Sequence, residues 1–506
     1  MKKIIYISSF LILLLTSCSD FLEPKSQTEF MPREINSLNE MLLGSAYLDP
    51  VAQNQYVFSY HELFTDDMAC TVVNGNHITN AEKYSRLKYY FAWDPRMFEI
   101  AKLGNTYYDV WGNTYGRILG CNAALDYVDK PDLKGKEAEK DYVKAQALAL
   151  RAFYYFNLVN LFGEPYNYNK EALGVPLKLS SDMLNVALYR STVSEVYQQM
   201  IEDLESAEQH FLNLPVDLQK AKNGRVTLAM VQLMRARVAL FMEDYATCEV
   251  YSKKVINDWG LQLLNLNSFT SIAAQPFYDF TTYDNPEAIW LFGCSYDFIR
   301  FTTDLIYPQP GSQTNGRRIV NASPSLLNSY GASDLRKSNY IIRESTTINN
   351  YMPFGKLPVS TTYALLSTKF GRALRLSEAY LMLAESNYFQ NKPTEAVQVL
   401  EKLRINRMNS SSGDDYKVPA ASTTGVALLQ FIKEERRREM CFEGLRWFDQ
   451  RRWGMESFSR EWKEEGVVVN TFTLEKNDAG FTLPIPPDAI ENNPNLIQNK
   501  LTNQKF

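Results

Sequence analysis

Apolar residues recur every three or four positions over much of the chain, the spacing that predicts amphipathic helices. One such stripe covers residues 142–162, and another covers 192–211, where Thr192 and Glu195 form a capping box ahead of the apolar face. The remaining stripes, in chain order, cover residues 226–256 with a break at 243–244, 373–390, 394–409, and 428–452 with an interruption at Gly444. The pattern predicts a mostly α-helical protein.

Two of the predicted helix pairs resemble each other. Residues 235–246 and 378–396 both predict a helix, a tight turn and a second helix, with alanines where the two helices approach. This arrangement is typical of tetratricopeptide repeats, and the sequence predicts a third such unit that begins near residue 147. Three arginines occupy similar places in these helices: Arg151, Arg235 and Arg375. Their unequal spacing predicts long insertions between the helix pairs, with an unrelated helical bundle as the alternative.

The predicted insertions differ in character from the helices. Residues 49–97, 260–370 and 453–487 are rich in Tyr, Asn, Thr, Gly and Pro and lack long helical stripes. We therefore expect loops with a few short strands, such as residues 287–293. Loops on a rigid scaffold are where binding residues usually lie, so ligand residues are sought here.

The N-terminus resembles a bacterial lipoprotein signal. Two lysines precede an apolar run of about a dozen residues, too short to span a bilayer, and a Leu-Thr-Ser-Cys sequence ends at Cys18. In such a lipobox the peptidase cuts before the cysteine, which then carries the acyl chains. We therefore expect a signal peptide at residues 1–17 and a lipidated tether at 18–35. A plain secreted protein with a coincidental Cys18 is the alternative.

Composition narrows the function classes. The 506 residues are 45% hydrophobic and 22% charged with a net charge of −5, which excludes a disordered chain and gives no basic surface for nucleic acid. The 31 Tyr, 28 Phe and 7 Trp exceed what a core needs and leave rings for stacking on a ligand. Five further cysteines are widely spaced and predict buried thiols: Cys70, Cys121, Cys248, Cys294 and Cys441.

Sequence motifs of catalysis are absent from the chain. It contains no phosphate-binding loop, dinucleotide fingerprint, nucleophile elbow, paired zinc histidines or EF-hand loop. No pair of carboxylates is singled out for glycoside hydrolysis, although a hydrolase with two facing carboxylates remains a third hypothesis. We expect a protein that is not an enzyme and that has no cofactor or metal.

An arginine-rich segment at residues 434–453 has two interpretations. It is either a basic patch for an anionic partner or a set of internal ion pairs, and interleaved acidic residues favour the second. Four residues are predicted to lie partly buried in ion pairs that tie this last helix to the rest: Glu439, Glu443, Arg446 and Arg452.

The same segment resembles the hallmark of the SusD/RagB family of surface lipoproteins. Residues 432–453 follow its pattern of glutamates, arginines and a terminal Arg-Trp, with Met440 and Gln450 in place of the usual leucines. Three further stretches are similar to family motifs and occur in the family's order: residues 150–166, 374–385 and 483–499. The resemblance covers nearly the whole mature chain.

The resemblance implies a fold of four tetratricopeptide-like units with a second, loop-rich part. It divides the chain into an N-terminal SusD-like helical region at 36–215, a central helix pair with a loop-rich insertion at 216–330, and a C-terminal RagB/SusD region at 331–506. It further implies an outer membrane lipoprotein facing the cell exterior, partnered with a SusC-like TonB-dependent transporter. Most members bind glycans and some bind peptides, and none is an enzyme. A tetratricopeptide adaptor that binds only protein is the competing hypothesis.

Ligand residues differ between members of that family, so none is transferred by the resemblance. Sugar rings stack on flat aromatic side chains, and their hydroxyls need polar partners. Two insertions carry that mixture, near the places where the family builds its glycan site. The sequence predicts stacking by Trp93, Tyr283 and Tyr296 and hydroxyl contacts by Asp67 and Arg86. The alternative for each is a ring packed in the loop's own core or a charge held in an ion pair.

Overall fold

The computed structural model describes most of the chain from residue 32 onward. The described ranges are 32–52, 55–59, 61–70, 81–104, 107–182, 188–268, 281–294, 306–309, 312–318, 320–343, 351–352, 370–464 and 467–503. The predicted lipidation site Cys18 and the predicted stacking residue Tyr296 lie outside them. Across these ranges, no helix combines the length and the apolar character needed to span a bilayer.

Helices dominate the described residues, which confirms the predicted fold class. In chain order they are α1 (Ile35–Ser45), α2 (Ala81–Phe91), α3 (Met97–Lys102), α4 (Val110–Val128), α5 (Glu137–Phe162), α6 (Tyr166–Asn169), α7 (Val193–Leu212), α8 (Val216–Gln219), α9 (Leu228–Phe241), α10 (Tyr245–Asp258), α11 (Pro324–Asn328), α12 (Arg336–Tyr340), α13 (Leu376–Phe389), α14 (Pro393–Arg404), α15 (Gly425–Met440), α16 (Arg446–Arg452) and α17 (Pro487–Asn492).

The strands are short and pair two by two. They are β1 (Met68–Cys70), β2 (Ala288–Phe292), β3 (Ile306–Gln309), β4 (Ser312–Arg318), β5 (Val320–Ala322), β6 (Ile342–Arg343), β7 (Tyr351–Met352), β8 (Arg372–Arg375), β9 (Phe458–Glu464) and β10 (Val467–Leu474). All described pairings are antiparallel: β1 with β5, β2 with β8, β3 with β4, β6 with β7 and β9 with β10. Most of these strands lie in the predicted insertions.

The two predicted helix pairs turn in the same way. Glu243 follows α9 with φ of 63°, and the next amide donates to the carbonyl five residues back at 2.9 Å. Asn391 follows α13 with φ of 60°, and the next amide makes the same bond at 2.8 Å. This left-handed residue with its long-range amide bond is the Schellman ending of a helix. The shared turn confirms the helix–turn–helix prediction for α9–α10 and α13–α14.

The helices stack side by side into one scaffold. α5 packs between α4 and α7, α9 contacts α7 and α10, and α13 packs against α10, α14 and α15. Every residue of α9 is buried, as is α5 from Ala145 to its end. A helix that is apolar on all sides belongs in the interior, and these two form the centre of the stack.

The structure corrects three details of the sequence analysis. Residues 373–375 belong to β8, which pairs with β2, so α13 begins only at Leu376. Arg375 therefore precedes its helix and does not match Arg151 or Arg235 in position. The 49–97 insertion, where loops and short strands were expected, contains the helix α2.

The arginine-rich segment forms a buried charge cluster. Glu439 is fully buried and accepts from Arg407 at 2.9 Å and from Arg375 at 3.1 Å. Glu435 on the preceding turn accepts from Arg336 at 2.6 Å. Burial alone would raise the pKa of Glu439, but the Arg407 and Arg375 charges bring it below its ordinary value.

The other predicted charges join the same region to distant parts of the chain. Glu443 accepts from Arg375 at 2.6 Å, and Arg446 donates to Asp66 at 2.7 Å. Arg452 holds Glu385 of α13 at 2.5 Å. The ion-pair interpretation of the segment is confirmed. The five described cysteines are also buried free thiols, as predicted.

Candidate ligand-binding site

Trp93 lies in the core, not in a ligand cleft. Its side chain is fully buried, and its indole N–H donates to the carbonyl of Phe64 at 3.1 Å. The Arg460 guanidinium lies 4.1 Å from the ring centroid, and the Phe458 ring contacts it edge-on at 5.1 Å. These partners leave no ring face for a sugar, which is against the predicted stacking role. The insertion uses this ring for its own small core.

Asp67 is likewise part of the fold. It is fully buried, and its Oδ1 accepts from the Arg437 Nε at 2.7 Å. Its backbone carbonyl accepts from Ser323 at 2.7 Å, next to the β1–β5 pair. Burial raises its pKa despite the nearby guanidinium. A carboxylate held this way joins the 61–70 segment to α15, as the ion-pair alternative supposed.

Arg86 on α2 packs against the backbone of Gly104. A Cβ placed on Gly104 would overlap the guanidinium, which would then have to move. The side chain is half-buried. Its contact with Gly104 gives Arg86 a packing role between α2 and the residues after α3.

Tyr283 keeps a surface position in the loop-rich part. It is half-buried and meets the Phe370 ring edge-on at 6.2 Å. Its hydroxyl accepts from the Gly224 N–H at 3.0 Å, and burial raises its pKa. The ring is thus fixed in orientation while part of it stays open to solvent.

Phe370, which Tyr283 contacts, lies beside the end of β2. The next residue fixes this position, because the Gly371 N–H donates to the Gly293 carbonyl at 2.8 Å. Tyr296 itself lies outside the described residues. Of the predicted ligand residues, Trp93, Asp67 and Arg86 therefore sit in separate packed environments, and Tyr283 stays a prediction.

A cleft among the described residues lies elsewhere, and we call it the α4 cleft. It has a volume of about 670 Å³ and is bounded by the first turns of α4, by Pro176, Lys178 and Leu188, and by the C-terminal residues 486–496. Its apolar side is built by Trp111, Tyr115 and three prolines, and its polar groups include Lys178 and Asn492. That volume falls within the range of ligand pockets.

The walls of the α4 cleft are well fixed. Trp111 packs edge-on against Phe162 at 5.0 Å, and the Tyr115 hydroxyl donates to the Pro176 carbonyl at 2.8 Å. Asp109 caps α4 by accepting from the Gly112 N–H at 2.7 Å. Sequence analysis missed this cleft because it predicted no element at residues 109–115, where α4 begins, and assigned residues 483–499 to a family motif without a ligand role. The clustered aromatic and polar residues at the start of α4 were the only available signal.

Two family models match the chain. Residues 20–227 match a SusD-like model described as starch-binding and associating with the outer membrane, and residues 308–501 match the SusD family model. The chain belongs to the SusD/RagB family, as the sequence resemblance predicted.

Two curated relatives come from Formosa agariphila. SusD-like protein P25 is 21% identical to this chain, and the match covers 99% of each of the two proteins. SusD-like protein P2 is 25% identical over 77% of this chain and 79% of its own length. The similarity to P25 thus runs from end to end.

Solved structures share the fold. A SusD superfamily protein from Bacteroides thetaiotaomicron superposes with a TM-score of 0.71 at 22% identity, covering 92% of this chain and 100% of that one. A putative sugar binding protein from Bacteroides vulgatus gives 0.69 at 22%, covering 93% and 99%. Surface glycan-binding protein A from Bacteroides uniformis gives 0.65 at 20%, covering 92% and 99%. The helix stack with loop-rich insertions is therefore the SusD fold.

Proposed function

We propose that this protein is a lipoprotein of the outer membrane, exposed at the cell surface, that binds an oligomeric nutrient and delivers it to a SusC-like TonB-dependent transporter. Family membership supports the membrane association, and the lipobox at Cys18 supports the anchor. Two of the similar structures carry names that describe sugar or glycan binding, which supports a glycan as the nutrient.

The α4 cleft is the observation that carries the glycan proposal. Its apolar wall of Trp111 and Tyr115 suits the C–H face of a sugar ring, and its carboxylate, amide and amine groups suit hydroxyls. Lys102 pairs with Asp488, and Lys178 donates to the Asp182 carbonyl at 2.5 Å. The other charges of the lining are one carboxylate, Asp109, and the Lys178 ammonium, so the charges sum to zero and the cleft suits a neutral polyhydroxylated ligand.

A peptide-binding, RagB-like importer is the second candidate within the same transport role. A tetratricopeptide adaptor is the third, and the paired helices α9–α10 and α13–α14 are its structural basis. The α4 cleft favours a ligand-binding role over an adaptor, because its aromatic residues face a cavity at the edge of the helix stack. Family membership also supports a binding protein over a hydrolase.

The test is purification of the tagged protein from its own outer membranes, with identification of the partner and of any bound oligomer. A co-purifying TonB-dependent transporter and a bound oligosaccharide are the expected result. A bound peptide would instead support the peptide-binding importer. A soluble protein partner without a transporter would support the adaptor.

Mutation of the cleft tests its role directly. The double variant Lys178→Ala with Asn492→Ala removes two polar groups without touching the core. At about 1 kcal/mol for each lost hydrogen bond, we expect glycan affinity to fall about tenfold or more. Lys253→Ala, on the exposed face of α10, is the matched control and should bind normally. Unchanged affinity in the double variant would remove the α4 cleft from the proposal.

A further inference from the structure

A second cleft opens where α15, α16 and the start of β9 meet, and we call it the Trp453 cleft. Its volume is about 290 Å³. Trp453 forms one wall, half-buried, with its indole N–H held by Glu385 at 3.2 Å. Six charged side chains also line it, so the balance of their charges decides what it can bind.

The two arginines of the cleft are already neutralised. Arg446 donates to both oxygens of Asp66, at 2.7 and 2.8 Å. Arg437 donates to Asp67 at 2.7 Å and lies 3.3 Å from Asp66. Two guanidinium groups thus face two carboxylates, and neither needs a ligand.

The two glutamates of the rim also have cationic partners. Glu456 pairs with Lys476 at 2.6 Å. Glu434 lies 3.8 Å from Arg438 and accepts from Gln430 at 2.9 Å. Both are partly exposed, so solvent screens what remains of their charge.

Lys433 is the charge left over. Its ammonium group makes no direct ion pair with a carboxylate of the described residues and sits 5.4 Å from the centroid of the Trp453 ring. It is partly buried, and burial lowers its pKa, although Glu385 and Glu456 oppose this by attracting the charge from a longer distance. A cation that is partly removed from water and lacks a direct ion pair attracts an anion.

Gln450 is the second residue of the cleft that a ligand could satisfy. Its Oε1 is buried and accepts no hydrogen bond from the described residues, although the side chain lines the cleft. Buried acceptors are normally satisfied. A hydroxyl group entering the cleft would supply the missing donor.

We propose that the Trp453 cleft binds one acidic sugar unit, a ring bearing a carboxylate or a sulfate, with the acid group at Lys433 and a hydroxyl at Gln450. The unmatched single positive charge selects an anion over a neutral or cationic group. Arg452 lies 4.8 Å and Arg446 lies 6.0 Å from the centroid of the Trp453 ring, so only the remaining exposed part of this half-buried indole can contact a sugar ring, which a free inorganic anion does not have. The sugar class rests on the proposed function, whereas the requirement for an anion rests on the charges alone.

The test compares ligands that differ only in charge. Trigalacturonate and its methyl ester share rings and hydroxyls, and titration calorimetry with the full mature chain measures both. We expect the acid to bind at least tenfold more tightly than the ester, and Lys433→Gln to abolish the difference. Lys433→Arg should retain it, and Lys253→Gln is the matched control. Equal affinity for acid and ester, or a preference that survives Lys433→Gln, overturns the proposal.

Further arms separate the possible anions. A sulfated oligosaccharide that binds with the same dependence on Lys433 supports the sulfate form of the acid group. Triglutamate binding as tightly as trigalacturonate would show a peptide carboxylate site and overturn the sugar assignment. Labelling with 5-fluorotryptophan gives a local readout, because the Trp453 resonance, one of seven, should shift with the acid and not in Lys433→Gln. Trp453→Phe identifies that resonance.

The outcomes also separate this inference from the proposed function. If no transporter co-purifies but acid selectivity depends on Lys433, the proposed function fails and the cleft assignment stands. If a transporter and a neutral glycan co-purify while acid and ester bind alike, the proposed function stands and the cleft assignment fails.

Discussion

Replacement of Glu443 by alanine tests whether the buried charge cluster holds the last helices in place. Glu443 receives two hydrogen bonds from Arg375, at 2.6 and 3.0 Å, and its side chain is only 9% exposed. Arg375 is fully buried, so it cannot turn to water when the carboxylate is removed. Breaking a buried pair from one side typically costs about 3–5 kcal/mol.

The surroundings of Arg375 place the expected cost at the lower end of that range. Two other carboxylates stay within reach, Glu287 at 2.9 Å and Glu439 at 3.1 Å. The guanidinium therefore keeps a counter-charge but loses its bidentate partner. We expect a loss of about 3 kcal/mol in the free energy of unfolding. By the usual scaling this is a fall in melting temperature of about 3 °C in a chain of this size, because the entropy of unfolding grows with chain length.

Scanning calorimetry and urea unfolding measure the loss, with two controls. Glu205→Ala removes a half-exposed partner of Arg235 and should cost less than about 1 kcal/mol. Glu443→Gln keeps one acceptor oxygen and should recover part of the stability. The assigned role of the cluster would be refuted if Glu443→Ala melted at the same temperature as the wild type. It would also be refuted if Glu443→Ala lowered the melting temperature no more than Glu205→Ala does.

The remaining predictions concern the lipid anchor, the side chains of Tyr296 and Trp93, and the dependence of stability on pH. Cys18→Ala should abolish labelling by a fatty-acid analogue, because the thioether needs that thiol, and persistent labelling would contradict the lipobox. Tyr296→Ala should weaken glycan binding about fivefold if the ring stacks on sugar, as titration calorimetry would show. Trp93→Ala should instead lower stability by about 3–5 kcal/mol, measured by urea unfolding, because the ring is core. His61 is fully buried, and burial first and the Arg372 charge second lower its pKa to about 3. Its unfolded form takes up a proton below about pH 6.5, so stability should fall toward pH 3 by up to about 1.4 kcal/mol per pH unit, and urea unfolding should show a shallower fall in His61→Gln.

Much of the scaffold could be predicted because its signals are local. The capping box at Thr192 and Glu195 begins α7, with the Glu195 N–H donating to the Thr192 hydroxyl at 3.1 Å. The polar break at 243–244 and the proline at 393 mark turns where the structure has left-handed residues. Such features depend on a few neighbouring residues, and a sequence displays them directly.

Strand pairing and the site were less predictable for the opposite reason. Residues 373–375 continue an apolar stripe, yet they form β8 because β2, about 85 residues earlier in the chain, supplies partners for their backbone groups. Trp93 shows the same limit, since an aromatic residue in a polar insertion suits both a ligand site and a small core. Arg460 and Phe458, from a distant hairpin, decide the matter by packing against the ring, which is fully buried.

The sequence by itself determined the family, the helical class, the anchor motif and the pairing of arginines with glutamates in the last helices. It also marked Gln450 as a departure from the family pattern, without giving it a meaning. The tertiary structure alone decided which charges in that segment are neutralised, because Asp66, Asp67 and Lys476 reach it from elsewhere in the chain. Lys433 has the same charge as its arginine neighbours in the sequence. It differs because no carboxylate of the described residues forms a direct ion pair with it, and the distances that establish this exist only in the folded protein.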